Sequence, residues 1–436
     1  MKHLFGICAS IFLAFILAGC SELDVRSEAR VTDMSRNYVV ADVGGSVIVN
    51  VQANFDYQVV VPPDAGEWVS VDSKTRDMIR FKVVRNEGYA ERTTPVFISD
   101  GVDYLDTLHI GQNGVTPLLE HKAPVNTMKV RLSYFPSYRD VSEAGFPTSY
   151  MKTINVAAYA FATLNEDLSI SFEQPAKVRT LVQRCHENGV KVVLSFSGKS
   201  ANYKKMVRSG KARTAFVERI VKFVKDNDLD GVDNDWEYPT SSDDSARGNL
   251  YLMRQFSNIL HAPGMDKLLT MAICTGEYTS TREGIDRGVF DCCDWFCVMC
   301  YNSVTSATKP DTYDASAIFK TAADKWIEVA GMPKYKYVPG FPLYSTSSTV
   351  SSQYGYKTLL EKGADPDKDV FYMQNDAGTW FYSYYNGRPT VRRKVKMVKD
   401  NDWGGYFFWE TSYDTFDNPE TSLMLTAYNE MFCQQS

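Results

Sequence analysis

Acidic side chains crowd the stretch KDNDLDGVDNDWEYP, residues 225–239, and their spacing allows two kinds of chemistry. Counted from Asp226, the residues Asp226, Asp228, Asp230, Gly231 and Glu237 fit the calcium-loop pattern D-x-[DN]-x-[DN]-G-x5-E. Counted from Asp230, the same letters read D-x-x-D-x-D-x-E, with acids alternating along a strand. On an extended strand Asp233, Asp235 and Glu237 share one face, and Val232, Asn234 and Trp236 share the other. Three carboxyls in file on a partly buried face cannot all ionise at neutral pH, so at least one keeps its proton. Glu237, last in the row, is then placed to act as a general acid.

The flanking residues favour the strand. Leu229, Val232 and Trp236 give the stretch a buried face that a solvated acidic loop would lack. The eighth position of a calcium loop packs an apolar side chain, and here it is Asp233. An exiting helix should begin near Glu237, but Pro239 biases Tyr238 away from helical angles. No metal or other cofactor is expected. Asp226 and Asp228 fall to the preceding helix end and turn, and the chemistry begins after Leu229.

Such a strand needs a scaffold, and the chain from Thr127 onward alternates strand and helix signals. The candidate strands are MKVRLSYF, INVAAYAFATL, KVVLSFSG, LDGVDNDWE, LLTMAICT, WFCVMCYN, YKYVPGFPLY and GGYFFWE. All are short and mostly apolar or β-branched, as in a buried parallel sheet. Helical patterns lie between several of them, one with Phe216, Ile220, Phe223 and Val224 on one face. Eight such units over residues 127–436 predict a TIM (β/α)8 barrel, an α/β fold whose active sites lie at the C-terminal ends of the strands. In that setting the carboxylate face points inward and climbs toward the mouth.

The preceding region, residues 30–114, reads as all-β. In SVIVNVQA the residues Val47, Val49 and Val51 fall on one face, and breakers such as Gly44-Gly45 and Pro62-Pro63 recur at short intervals. This predicts a small β-sandwich, with residues 115–126 as a linker. At the N-terminus, Lys2 and His3 precede an apolar run from Leu4 to Ala18, too short to span a bilayer comfortably. The run ends in Leu17-Ala18-Gly19-Cys20, so residues 1–19 read as an export signal and Cys20 as a lipidation site. A net charge of −6 provides no basic stripe for nucleic acid. Of nine cysteines, Cys8 leaves with the signal and Cys20 carries lipid, which leaves an odd seven and no disulfide framework. Cys297 and Cys300, three apart on one apolar strand, point to opposite faces and cannot clasp one zinc ion.

DGVDNDWE matches the signature of glycoside hydrolase family 18, the chitinases and endo-β-N-acetylglucosaminidases, and the resemblance covers residues 127–432. YFPSY at 134, AYAFA at 158, MCYN at 299, GFPLY at 340 and GGYFFWE at 404 resemble the family's other strand motifs. The resemblance implies that Glu237 protonates the glycosidic oxygen and then activates water, while the substrate's own 2-acetamido carbonyl is the nucleophile. It further implies that Asp235 bonds the acetamido N–H, Asp233 exchanges a proton with Asp235, and Tyr301 holds the acetamido oxygen. Trp409 would be the floor under the sugar, and Tyr134, Phe161, Met299 and Tyr238 its walls. Asn302 stands in the binding position where the family often has Asp. The expected partner is a glycan containing N-acetylglucosamine: chitin or chitooligosaccharides first, the N-glycan core chitobiose second. A lectin-like binder on the same barrel is the reading of another class, and the retained Glu237 speaks against it.

The N-terminal sandwich resembles the BACON domain, an immunoglobulin-like module, through Trp68, Asn86, Arg92 and the closing IGQNG with Gln112, and is expected to serve as a spacer. The signal and the acidic start after Cys20 resemble outer-membrane surface lipoproteins of Bacteroides-type bacteria. A monomer is expected. Three departures from the family pattern stand out. SFSG at 195 places Ser197 where glycine is usual, with crowding of the third strand expected. Ser345-Thr346 follow Tyr344 in place of Gly-Arg. The stretch between the seventh and eighth strands is too short for the full insertion domain of deep-cleft chitinases, which predicts a shallower cleft and endo cleavage.

Overall fold

The computed structural model describes residues 26–86, 88, 91–115, 117–301 and 304–432. The leader 1–19, Cys8, Cys20, Asn302 and Cys433 lie outside the described residues. The chain divides into two units.

The first unit is all-β, with two four-stranded sheets. One runs Ala29–Val31, Gly45–Ala53, Met78–Val83, Val69–Lys74, and the other Asn37–Val40, Tyr104–Gln112, Arg92–Ser99, Gln58–Val60. Alternation decides what is inside: Val47, Val49 and Val51 are buried against Phe81, Ile98 and Leu108, while Ile48 faces solvent. Arg92 lies over the Trp68 ring at 4.5 Å and donates two hydrogen bonds to Gln112 Oε1, at 2.9 and 2.7 Å.

The second unit is a closed barrel of eight parallel strands: β1 Val130–Pro136, β2 Val156–Leu164, β3 Lys191–Gly198, β4 Gly231–Asn234, β5 Leu268–Ile273, β6 Trp295–Val298, β7 Tyr337–Pro342 and β8 Gly405–Trp409. Each pairs with its neighbours in order, and β8 and β2 both pair with β1 to close the ring. The eight segments are those expected from the sequence. Inward positions of the strands form one apolar cluster that includes Val130, Leu132, Val156, Val193, Trp295 and Phe407. Gly340 on β7 makes room for this layer, because a Cβ there would lie 2.3 Å from the Phe407 ring. Outward positions pack against the helices in a second cluster. Cys297 belongs to the inner cluster and Cys300 to the outer one, so the barrel wall separates them.

Two features differ from expectation. The segment between β7 and β8 carries a two-stranded hairpin, Val370–Gln374 with Trp380–Tyr384, absent from the strands read in the sequence. Residues 117–121, within the expected linker, are strapped to the helix Ser245–Leu260: Asn258 Oδ1 accepts from the backbone N–H of Glu120 at 2.7 Å and of His121 at 3.2 Å.

The calcium-loop residues are occupied otherwise. Asp226 ends the helix Gly210–Asp226 and pairs with Lys222 at 2.6 Å, and Asp228 sits in the turn at φ 53. Gly231 is a strand residue opposite Leu268. Asp230 Oδ2 accepts from the Val192 N–H at 2.7 Å and lies 2.8 Å from His186 Nε2, which pins the entry of β4 to β3. Asp230→Ala should therefore destabilise the barrel by about 2 kcal/mol through loss of a charge-assisted acceptor for a backbone donor. Thermal or urea midpoints would read this, with kcat/KM of the folded variant unchanged. A wild-type midpoint that rose on adding calcium would return these residues to the ion.

Candidate active site

Register places the carboxylates. On β4, Asp233 lies opposite Ser195 of β3 and Thr270 of β5, so the three side chains share one inward level. Both hydroxyls turn to the acid: Ser195 Oγ donates to Asp233 Oδ2 at 2.8 Å and Thr270 Oγ1 donates to Oδ1 at 2.6 Å. Tyr134 Oη on β1 reaches across the interior and donates to Oδ2 at 2.9 Å. Asp233 is fully buried and spends its lone pairs on three hydroxyl donors.

Asp235 is one level higher, 7 % exposed, and its backbone N–H bonds the Phe196 carbonyl at 2.9 Å. Among the described residues its buried Oδ1 has no hydrogen-bond partner. Burial, then the charge of Glu237, then that of Asp233, hold the Asp235 carboxyl well above the usual carboxylate range. Burial also raises Asp233, but its three hydroxyl donors oppose this, and Asp235 has no such compensation. Glu237, another level up, is exposed at the mouth. The outward members of the same stretch, Asn234 and Trp236, are fully buried, and Trp236 stacks on Tyr203 at 4.7 Å.

Above this file opens a cavity of about 490 Å³. Asp235, Glu237 and Tyr238 from the end of β4 line it, with Tyr134 from β1 and Phe161 from β2. Met299 and Tyr301 beyond β6 and Trp409 from β8 complete the residues expected from the sequence. Trp409 packs on Tyr134 at 5.3 Å and lies near-parallel to Phe161 at 5.9 Å, so the rings form one aromatic base. Three peptide bonds are cis: Ala160–Phe161 within β2, Glu237–Tyr238 beyond the end of β4, and Trp409–Glu410 at the end of β8. The phenol of Tyr301 is pushed up, first by burial and then by Tyr344, Asp235 and Glu237, so it remains a neutral donor.

Ser197 does not crowd β3. Its Oγ donates to the Asp235 carbonyl at 3.1 Å and ties β3 to the extension of β4. Several contributors were missed by sequence reasoning. Ser195 and Thr270 carried a signal, since each is a hydroxyl at an inward position of an otherwise mostly apolar strand. Tyr344, Gln353, Cys274 and Thr275 also line the cavity. Next to Trp409, the buried Glu410 accepts from Arg139 Nε at 3.0 Å and from the Ser412 N–H at 3.0 Å, which anchors the end of β8 to the β1 loop.

The family model for glycosyl hydrolases family 18 matches residues 131–414, well over half of the chain. The chain belongs to glycosyl hydrolases family 18. Within that family it is 24% identical over 349 residues to the class V chitinase CHIT5 of Lotus japonicus, which covers 68% of this chain and 86% of that protein. It is 25% identical over 275 residues to the endochitinase of Brugia malayi, covering 52% of this chain and 54% of that one, so it spans about half of that relative. Among solved structures, a chitinase from Bacteroides thetaiotaomicron superposes with a TM-score of 0.60 at 24% identity, covering 70% of this chain and 97% of that one. A family 18 chitinase from Cycas revoluta, solved in complex with (GlcNAc)3, gives 0.56 at 20% identity, covering 69% and 99%. This family 18 chain is a chitinase-like glycosidase on a TIM barrel.

Proposed function

We propose that this glycosidase cleaves β-1,4 bonds after N-acetylglucosamine in chitin or its oligosaccharides, with retention and with help from the substrate. The observation that carries this reading is the partnerless buried Oδ1 of Asp235, between Asp233 and Glu237 and under a cavity with an aromatic base. An orphaned buried acceptor calls for a donor, and the acetamido N–H is one. Glu237 gives its proton to the glycosidic oxygen as the bond to the anomeric carbon breaks. The acetamido carbonyl oxygen takes that carbon and forms an oxazolinium ring. Asp235 accepts the ring N–H, and by exchanging a proton with Asp233 below it the pair offsets the positive charge. Glu237, now a carboxylate, removes a proton from water as the water opens the ring. Tyr301 would hold the acetamido oxygen and Trp409 would floor the sugar. The chitinase names of the relatives, and the (GlcNAc)3 bound to the Cycas revoluta protein, support the substrate class.

Incubation with chitooligosaccharides and with a high-mannose glycoprotein tests the reading. Cleavage of the former is expected. Cleavage of the glycoprotein alone would move the substrate to the N-glycan core, and binding without cleavage would make the protein a lectin.

We also place the enzyme on the outer surface of a bacterial cell as a lipoprotein held by Cys20, with the BACON-like sandwich as its spacer. The grammar of Leu17-Ala18-Gly19-Cys20 supports this. Cys20→Ala should move the protein from the detergent phase to the aqueous phase on partitioning, and an unchanged partition would refute the anchor.

A further inference from the structure

The hairpin between β7 and β8 carries aromatic rings that the core does not use. Tyr372, Trp380 and Tyr382 are 53%, 57% and 44% exposed. Tyr372 lies directly opposite Tyr382, and Trp380 lies opposite Gln374, so all three rings stand on one face. They touch one another: Tyr372 stacks on Trp380 with centroids 5.1 Å apart, and Tyr372 meets Tyr382 at 4.8 Å. The other face is spent on the fold, with Met373, Phe381 and Ser383 buried and the Phe381 ring against Tyr354 at 6.3 Å. The hairpin is thus a thin wall, apolar inside and aromatic outside. Contiguous large exposed rings on a folded surface mark a binding site more often than chance.

The wall is continuous with the rim of the catalytic cavity. Thr346 and Tyr384 exchange both backbone hydrogen bonds, at 2.9 and 2.8 Å. Two residues before Thr346 stands Tyr344, and one before Tyr354 stands Gln353, both of which line the cavity. Trp380 lies four residues along the strand from that bridge, about 13 Å at the usual rise per residue. Neither strand of the hairpin, VFYMQ or WFYSY, has a charged residue. The face offers ring planes, phenol and indole hydrogen-bonding groups and one amide. Its chemistry suits a neutral, hydroxyl-rich ligand whose apolar C–H faces can lie on rings.

We infer that the Tyr372–Trp380–Tyr382 ridge is an auxiliary binding surface for an N-acetylglucosamine polymer, holding chain beyond the sugars in the catalytic cavity. The pyranose C–H faces carry partial positive charge and meet the negative faces of the rings, while the sugar hydroxyls stay in water. The occupant rests on the proposed substrate; the existence of the surface rests on the rings alone.

The test uses the full chain with Trp380→Ala alone and with Tyr372→Ala and Tyr382→Ala added. These side chains are exposed, so the variants should fold, which circular dichroism checks. Two quantities are measured: retention on insoluble chitin particles, in a Glu237→Gln background so that nothing is digested, and kcat/KM on a short soluble chitooligosaccharide in the Glu237 background. Trp380→Ala should weaken retention about tenfold and the triple variant more, with kcat/KM on the short substrate within about twofold. Retention equal to that of the parent would overturn the inference while leaving the catalytic reading intact. Equal loss on the short substrate in a folded variant would also overturn it, because the rings would then serve the cavity itself. A change in sedimentation with unchanged retention would make the ridge a contact between copies of this chain and overturn it as well. If the parent cleaved neither chitin nor its oligosaccharides but showed ring-dependent retention, the catalytic reading would fall and the ridge would stand.

Discussion

Glu237→Gln should lower kcat on chitooligosaccharides by about a thousandfold, the usual worth of a positioned proton donor, and leave substrate binding within about twofold. The amide keeps the size and hydrogen-bonding capacity of the carboxyl but has no proton to give and cannot take one from water. Glu237 is exposed at the mouth, so the change leaves the buried layer below untouched. The variant also lacks the charge that an ionised Glu237 sets against Asp235, so one of the causes holding that carboxyl up is removed. Product formation followed by chromatography and binding followed by calorimetry separate the two effects. Normal turnover would mean that the acid lies elsewhere.

Much of this site is legible in the sequence, and the reason is periodicity. A parallel barrel strand is buried on both faces, so an acid at every second position stands out against Val232, Asn234 and Trp236 on the other face. The eight strands were legible for the same reason, as short apolar runs between helical patterns. Neither signal depends on contacts distant in sequence.

What stayed hidden depends on register, which the sequence does not spell out. The pairing of Ser195 and Thr270 with Asp233 follows from how β3, β4 and β5 slide past one another. That pairing separates the two acids: three hydroxyl donors serve Asp233, and among the described residues none serves Asp235. The sequence argument placed a retained proton somewhere in the file and favoured Glu237 as the acid. The structure adds that burial and the charges of Glu237 and Asp233 hold the Asp235 carboxyl well above the usual carboxylate range. Ser197 was read as a misfit from its type alone, yet its hydroxyl has a backbone acceptor. The aromatic hairpin was missed because VFYMQ and WFYSY are short, and the region was weighed by length rather than by pattern. The Arg139–Glu410 pair joins residues 271 positions apart, beyond the reach of local reading.

The central claim is that the substrate supplies its own nucleophile. That claim follows from the family 18 resemblance, and the acidic file is compatible with it. Asp233 lies beneath three hydroxyl donors, and burial with the charges of Glu237 and Asp233 holds the Asp235 carboxyl well above the usual range. The decisive measurement compares two oligosaccharides that differ at one position, an acetamido group or a free amine on the sugar at the non-reducing side of the cut. Loss of an intramolecular nucleophile already in place should lower kcat/KM by at least about ten-thousandfold for the amine, within the range of measured effective molarities. Cleavage of both substrates at comparable rates would contradict the account and require a nucleophile from the protein.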